Sequence, residues 1–187
     1  MPDPIILLPR RSFFAAAGKT ALSAGAVLLL AGCGSRQAAL AADPAADVNI
    51  LNSALGAEQE AVAAYQVGAE SGLLTKPALD LAVQFQGHHK EHADVLAKTV
   101  RDLGGQPAEP LARYDFPTDQ LKSEADVLRF AAGLEKGAVS AYLGAVPLFQ
   151  ERELARAAAS ILGDEAMHWA VLRQALGENP VPGAFVS

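Results

Sequence analysis

From Asp47 to about Gly72 the stripe positions fall four and three residues apart in alternation. Leu51, Leu55, Val62 and Ala69 occupy the apolar ones, with Glu58 and Tyr65 set among them. That spacing keeps one side of a helix turned toward a neighbour and predicts a bundle-facing helix. A second helix is expected from Thr75, a suitable cap, with Pro77 in its first turn where a missing N–H costs nothing. Leu81, Phe85, His92, Leu96 and Leu103 continue its stripe, and Gly104-Gly105 ends it. Residues 106–122 contain Pro107, Pro110 and Pro117 and show no periodicity, so they read as a loop long enough to cross the length of a bundle. Ser123, followed three residues later by Asp126, marks a third helix start. That helix runs through Leu128, Ala131, Glu135, Ala138 and Tyr142 toward Phe149, with Pro147 expected to kink or shorten it. A fourth helix spans about Glu151 to Leu176 and closes at Gly177. No run of alternating β-branched residues suggests a strand. The pattern predicts an all-α fold: four helices, with one long crossover between the second and third.

Composition supports helices, because alanine, leucine, glutamate, glutamine and lysine dominate the periodic stretches. The chain of 187 residues suits one domain plus an additional segment. Its 15 basic and 21 acidic residues give a formal charge of −6. The part after Cys33 retains 12 basic and 20 acidic residues, or −8, with no basic cluster. Nucleic acid is therefore not an expected partner.

Residues 1–32 read as an address rather than as fold. Arg10-Arg11 precedes Phe13-Phe14 and an apolar run from Ala15 to Leu30 broken only by small or polar residues and Lys19. This resembles a twin-arginine export signal. Leu30-Ala31-Gly32-Cys33 resembles a lipobox, which implies that Cys33, the only cysteine, is lipidated and anchors the chain to a cell-envelope membrane. The competing expectation is cleavage near Ala39-Leu40-Ala41, releasing a soluble periplasmic protein. Residues 33–46 are expected to form a flexible tether, 47–179 the bundle and 180–187 an irregular tail.

An internal repeat joins the two helical pairs. A shift of 77 places Leu51 on Leu128, Glu58 on Glu135, Val62 on Val139 and Tyr65 on Tyr142. A shift of 76 places Gly87 on Gly163, His92 on His168 and Leu96 on Leu172. Each half thus carries a glutamate, a tyrosine seven residues later and a histidine on the following helix. Glu58 and Glu135 sit mid-helix on apolar stripes, where an unpaired carboxylate is costly to desolvate and a cation would compensate it. Glu165 and His168 lie three residues apart, on one helical face.

Glu58, Glu135, Glu165, His92 and His168 resemble the ligand set of ferritin-like di-iron carboxylate proteins, over about residues 48–177. In that family one glutamate comes from each of two helices and a Glu-x-x-His pair from each of the other two. The resemblance implies a ferritin-like four-helix bundle holding iron in a dinuclear or mononuclear site, with manganese or zinc as alternatives and no organic cofactor. The departure is His89, where a glutamate is expected. Three carboxylates and three imidazoles then make an asymmetric or mononuclear site, or a zinc or copper preference, credible. His88 is a rival to His89, because it pairs with His92 four residues on. Tyr65 and Tyr142 are candidates to hydrogen-bond the ligands, against plain core packing. Trp169 is expected to pack at a bundle face, and Glu60 and Glu91 to face solvent.

The resemblance implies redox chemistry on iron, oxygen or peroxide at the cell envelope, as a di-iron-type oxidoreductase if the centre turns over. The alternative is a non-enzymatic, structural or stress-related module with a degenerate site. Metal ions and, through Cys33, a membrane are the expected partners, and a homodimer is compatible with the pattern. Iron storage in a cage fits poorly with a tethered amino terminus. Electron transfer through a rubredoxin-type centre lacks the cysteines. No Gly-x-Ser-x-Gly motif or phosphate-binding glycine loop is present.

Overall fold

A computed structural model describes residues 44–186. The export signal, Cys33 and its lipobox, the site near Ala41 and most of the expected tether lie outside the described residues. Among the described residues, four helices account for nearly all the regular structure: α1 (Pro44–Glu70), α2 (Lys76–Asp102), α3 (Glu124–Ala145) and α4 (Arg152–Ala175). Two short 3-10 turns, Thr118–Gln120 and Val146–Leu148, complete it, and no strand occurs among the described residues. The all-α, four-helix expectation holds.

Local chemistry sets the helix ends. Gly72, Gly104 and Gly177 adopt φ of 69°, 77° and 74°, the left-handed region in which glycine stops a helix without steric cost. Ser123 caps α3 by accepting from the Asp126 N–H and donating its own hydroxyl to the Asp126 carboxylate at 2.7 Å. Thr75 occupies the cap position of α2, but its side chain makes no capping bond. Instead its N–H donates to Glu124 at the start of α3. Pro147 ends α3 at Ala145 and forces a 3-10 turn rather than a kinked continuation to Phe149. Helix α1 begins at Pro44, three residues earlier than the periodicity suggested, because proline suits a first turn.

α1 packs along α2 and α3 along α4, as two hairpins that meet mainly through α1 and α3. The crossover after α2 is tied to α1 by side-chain amides. Asn52 donates to the Gln106 carbonyl at 3.0 Å and accepts from the Ala108 N–H at 2.8 Å, while Gln59 donates to the Ala108 carbonyl at 2.9 Å. At the same end of the bundle, buried Asp47 accepts the N–H groups of Gln150 and Glu151 at 2.9 and 3.2 Å, fastening the start of α1 to the start of α4.

The core is divided. Leu51, Leu55, Leu96, Val100, Ala158 and Ile161 pack toward one end. Phe85, Leu128, Ala131, Ala132 and Leu172 pack toward the other. Between these two apolar plugs lies a layer of buried Glu58, His89, Glu135, Glu165 and His168.

Candidate metal centre

Each helix contributes to this layer, and the stripe that carries the apolar core also carries the polar residues. α1 brings Glu58, α2 His89 and His92, α3 Glu135, and α4 Glu165 and His168. Glu165 is fully buried, and His89 and Glu135 are 1% exposed. The donors form two groups, Glu58, His89, His92 and Glu165 on one side and His89, Glu135, Glu165 and His168 on the other. One ligand atom from each member lies within 4.8 Å of the rest of its group. All six residues that the sequence nominated are therefore together.

Glu165 and His89 are common to both groups. Glu165 sends Oε1 toward His92 Nδ1, 3.1 Å away, and Oε2 toward His168 Nδ1, 3.4 Å away. His89 lies with Nδ1 2.8 Å from Glu58 Oε2 and Nε2 3.2 Å from Glu135 Oε1. One ring nitrogen faces each half.

The tyrosines are paired crosswise. Tyr142 on α3 donates to Glu58 Oε1 at 2.5 Å, and Tyr65 on α1 donates to Glu135 Oε1. Each phenol thus holds the glutamate of the opposite half, and the two contacts are equivalent under the 77-residue repeat. Burial and the adjoining carboxylate raise both phenol pKa values well above their ordinary range, so both hydroxyls stay protonated donors.

Burial disfavours charge on the histidines, yet the carboxylates around them prevail. Hydrogen bonds with Glu135 and Glu58 push His89 up to about 10. Glu165 and Glu58 raise His92 to about 9, and Glu135 and Glu165 raise His168 to about 9. Burial likewise opposes ionisation of Glu58 and Glu135, but the nearby rings of His89 and His92, and of His168 and His89, hold both below the usual carboxylate range. In the metal-free protein the three imidazoles are thus held toward the charged form, and Glu58 and Glu135 toward the ionised one.

The fit to a metal can be read from atoms left without hydrogen bonds. His92 Nδ1, His168 Nδ1, Glu135 Oε2 and both oxygens of Glu165 are buried and have none. The histidine and carboxylate atoms approach to 3.1–3.5 Å without aligning as donor and acceptor. These nitrogen and oxygen atoms face a common space without pairing with one another. An unsatisfied buried carboxylate costs several kcal/mol, and a cation there would remove that cost. Imidazole with carboxylate suits iron and zinc, and carboxylate suits manganese. The residues fit a divalent metal site, and Glu165 belongs to both candidate ligand groups.

Two participants were missed or misplaced in the sequence. Asp164 carries Oδ2 at 3.4 Å from His92 Nε2 and 3.2 Å from His168 Nε2, touching the outer nitrogens of both rings whose Nδ1 points inward. Its only signal was its place four residues before His168. His88 does not join His92 at the centre. Its Nδ1 lies 2.8 Å from His168 Nε2 and 3.3 Å from Asp164, on the outer side. Phe85 stacks on the His168 ring at 4.0 Å. Trp169 packs under Lys136 and Arg173 at a bundle face, and Glu60 and Glu91 are exposed, as expected.

A carboxylate–histidine layer inside four helices with one long crossover defines a ferritin-like protein. Residues 46–178 match the family described as the ferritin-like domain, and the chain belongs to that family. Two solved structures share the fold. A conserved hypothetical protein from Mycobacterium tuberculosis is 23% identical, with a TM-score of 0.66 over 75% of this chain and 97% of that one. A ferritin-like, diiron-carboxylate protein from Bacillus anthracis is 21% identical, with a TM-score of 0.62 over 72% of this chain and 97% of that one. No curated protein matches the sequence.

Proposed function

We propose that this chain is an exported ferritin-like protein that binds two divalent metal ions, iron foremost, and carries out redox chemistry with oxygen or peroxide at the cell envelope. The observation that carries the reading is Glu165, fully buried with neither oxygen hydrogen-bonded and one oxygen turned to each ligand group. Ferrous iron, when bound, supplies the electrons that reduce oxygen or peroxide. The protein's own groups do the rest. Glu58 with His92 and Glu135 with His168 would each hold an ion, Glu165, common to both groups, would serve either, and Tyr142 and Tyr65 orient Glu58 and Glu135. The apolar plugs above and below exclude water. A shallow groove floored by Ala57, Ala61, Gly133 and Gly137 reaches His89 and Glu135 from the α1–α3 face, giving a small neutral oxidant a way in. The twin-arginine and lipobox resemblances support delivery of the folded protein through the export route and retention by a lipid on Cys33.

A non-enzymatic role in holding metal, or in stabilising the bundle, is the second reading. His89 favours it, because its ring neutralises part of the carboxylate charge without any ion. The deciding experiment is elemental analysis of the purified protein and of Glu58→Ala and Glu165→Ala, followed by peroxide-dependent oxidation of added ferrous iron. The redox reading expects two iron ions per chain, one per ligand group, loss of both in Glu165→Ala, and oxidation faster than in buffer. Metal binding without oxidation would leave the second reading. A wild-type protein that is helical and stable and binds no metal would refute the redox reading and leave the structural one.

A further inference from the structure

Outside the buried layer, His88 Nδ1, Asp164 Oδ2 and His168 Nε2 lie 2.8–3.3 Å from one another. Two imidazole nitrogens and a carboxylate oxygen are a donor set for a divalent cation. Side-chain exposure falls from 35% at His88 through 24% at Asp164 to 2% at His168, a gradient from solvent to interior. A groove lined by Glu91, His92, Ser160 and Asp164 together with Val95 and Met167 opens beside them between α2 and α4. His88 and Asp164 are also related by the repeat, standing 76 residues apart like His92 and His168. The two positions just before His89 and Glu165 have thus both become metal-ligating types, and the fold brings them side by side.

His168 belongs to both sites through opposite nitrogens. Nδ1 faces Glu135 and Glu165 inside, and Nε2 faces His88 and Asp164 outside. A neutral imidazole offers one lone pair at a time, so the outer and inner positions at this ring are filled in turn. We propose that His88, Asp164 and His168 Nε2 form a solvent-facing divalent-cation site from which ions pass to the buried centre. The passage rests on the buried centre being a metal site; the outer site itself does not. Once the inner ion is in place, the His168 Nε2–H is left to donate to Asp164, whose carboxylate changes from ligand to hydrogen-bond acceptor.

Two measurements test this. In the first, cobalt(II) is mixed with metal-free protein and the d–d absorption of the buried centre is followed by stopped flow. His88→Ala is expected to slow loading about tenfold, by analogy with charged entry sites, while reaching the wild-type endpoint. Equal loading rates would overturn the transit role. In the second, zinc is titrated into Glu58→Gln/Glu135→Gln/Glu165→Gln, with helicity checked by circular dichroism. One zinc per chain is expected, and adding His88→Ala should abolish it. No zinc, or a zinc that survives His88→Ala, would overturn the outer site. Should the triple Gln substitution unfold the chain, zinc is titrated instead into Glu135→Gln/Glu165→Gln with and without His88→Ala. A zinc lost with His88→Ala supports the site, and identical titrations overturn it. If wild type fills only this outer site, the buried-centre reading fails while the outer site stands.

Discussion

His89 shows how one side chain changes the charge of a buried site. Its two nitrogens bond Glu58 and Glu135, and burial is outweighed by those carboxylates, which hold the ring protonated to about pH 10. His89→Glu would put a fourth carboxylate into the layer and remove that cation. The metal-free variant should be less stable than wild type, while two divalent ions should bind it more tightly. Calorimetric Tm values with and without zinc check both halves, and a metal-free variant as stable as wild type would contradict the account. The tyrosines make a finer test. Tyr65→Phe removes a donor from Glu135, and Tyr142→Phe removes one from Glu58. Each should weaken one ion about 10–100-fold and spare the other. Isothermal titration should therefore resolve two unequal sites in either variant. A uniform loss of both ions would mean that the phenols act only through packing.

At the scale of elements, the ends of the helices depend on few atoms. Gly105 follows the left-handed Gly104 and returns the chain from α2 toward the crossover. A Cβ there would stand 2.7 Å from Val48 Cγ1 and 3.2 Å from the Val100 carbonyl oxygen. The carbonyl belongs to a rigid helix and the valine is part of the α1 packing, so neither yields freely. Gly105→Ala should cost about 1–3 kcal/mol, read as a lower urea midpoint with unchanged slope. A midpoint equal to that of wild type would show that this corner relaxes. The glycine stops at Gly72, Gly104 and Gly177 and the Ser123 cap were legible in the sequence because they act within a few residues. The Asp47 contact to Gln150 and Glu151 and the Thr75 contact to Glu124 were not, because each joins segments far apart in the chain.

For the whole molecule, the charged layer sets how stability follows pH. His89, His92 and His168 have folded pKa values of about 10, 9 and 9, above the unfolded value near 6.5. Their stabilisation is complete below about pH 6.5 and is lost as pH rises through 9–10. Glu58 and Glu135, lowered in the fold, act oppositely, stabilising above about pH 4.5 and losing that effect as pH falls through their folded values. The metal-free protein should thus have its highest Tm between about pH 4.5 and 6.5. Metal affinity should increase toward alkaline pH, because each ion displaces protons from the same rings. Scanning calorimetry from pH 4 to 10, with and without zinc, measures both trends. A metal-free Tm that climbs between pH 7 and 9 would contradict the ion-paired layer.

The sequence by itself determined the helices, the long crossover and the ligand types, because stripe spacing, glycine stops and a duplicated Glu–Tyr–His pattern are all written locally. It also singled out Glu58, Glu135 and His92, since a carboxylate or imidazole on an apolar stripe has to face the core, while the repeat and the family resemblance pointed to His89, Glu165 and His168. Only the tertiary structure decided how these groups divide the space. Periodicity gives each residue a face but no partner. Packing alone put Glu165 and His89 between two ligand groups, crossed the tyrosines onto opposite glutamates and turned His88 outward to Asp164. Those choices depend on how two hairpins dock, and docking is set by the summed shape of many side chains rather than by any one segment.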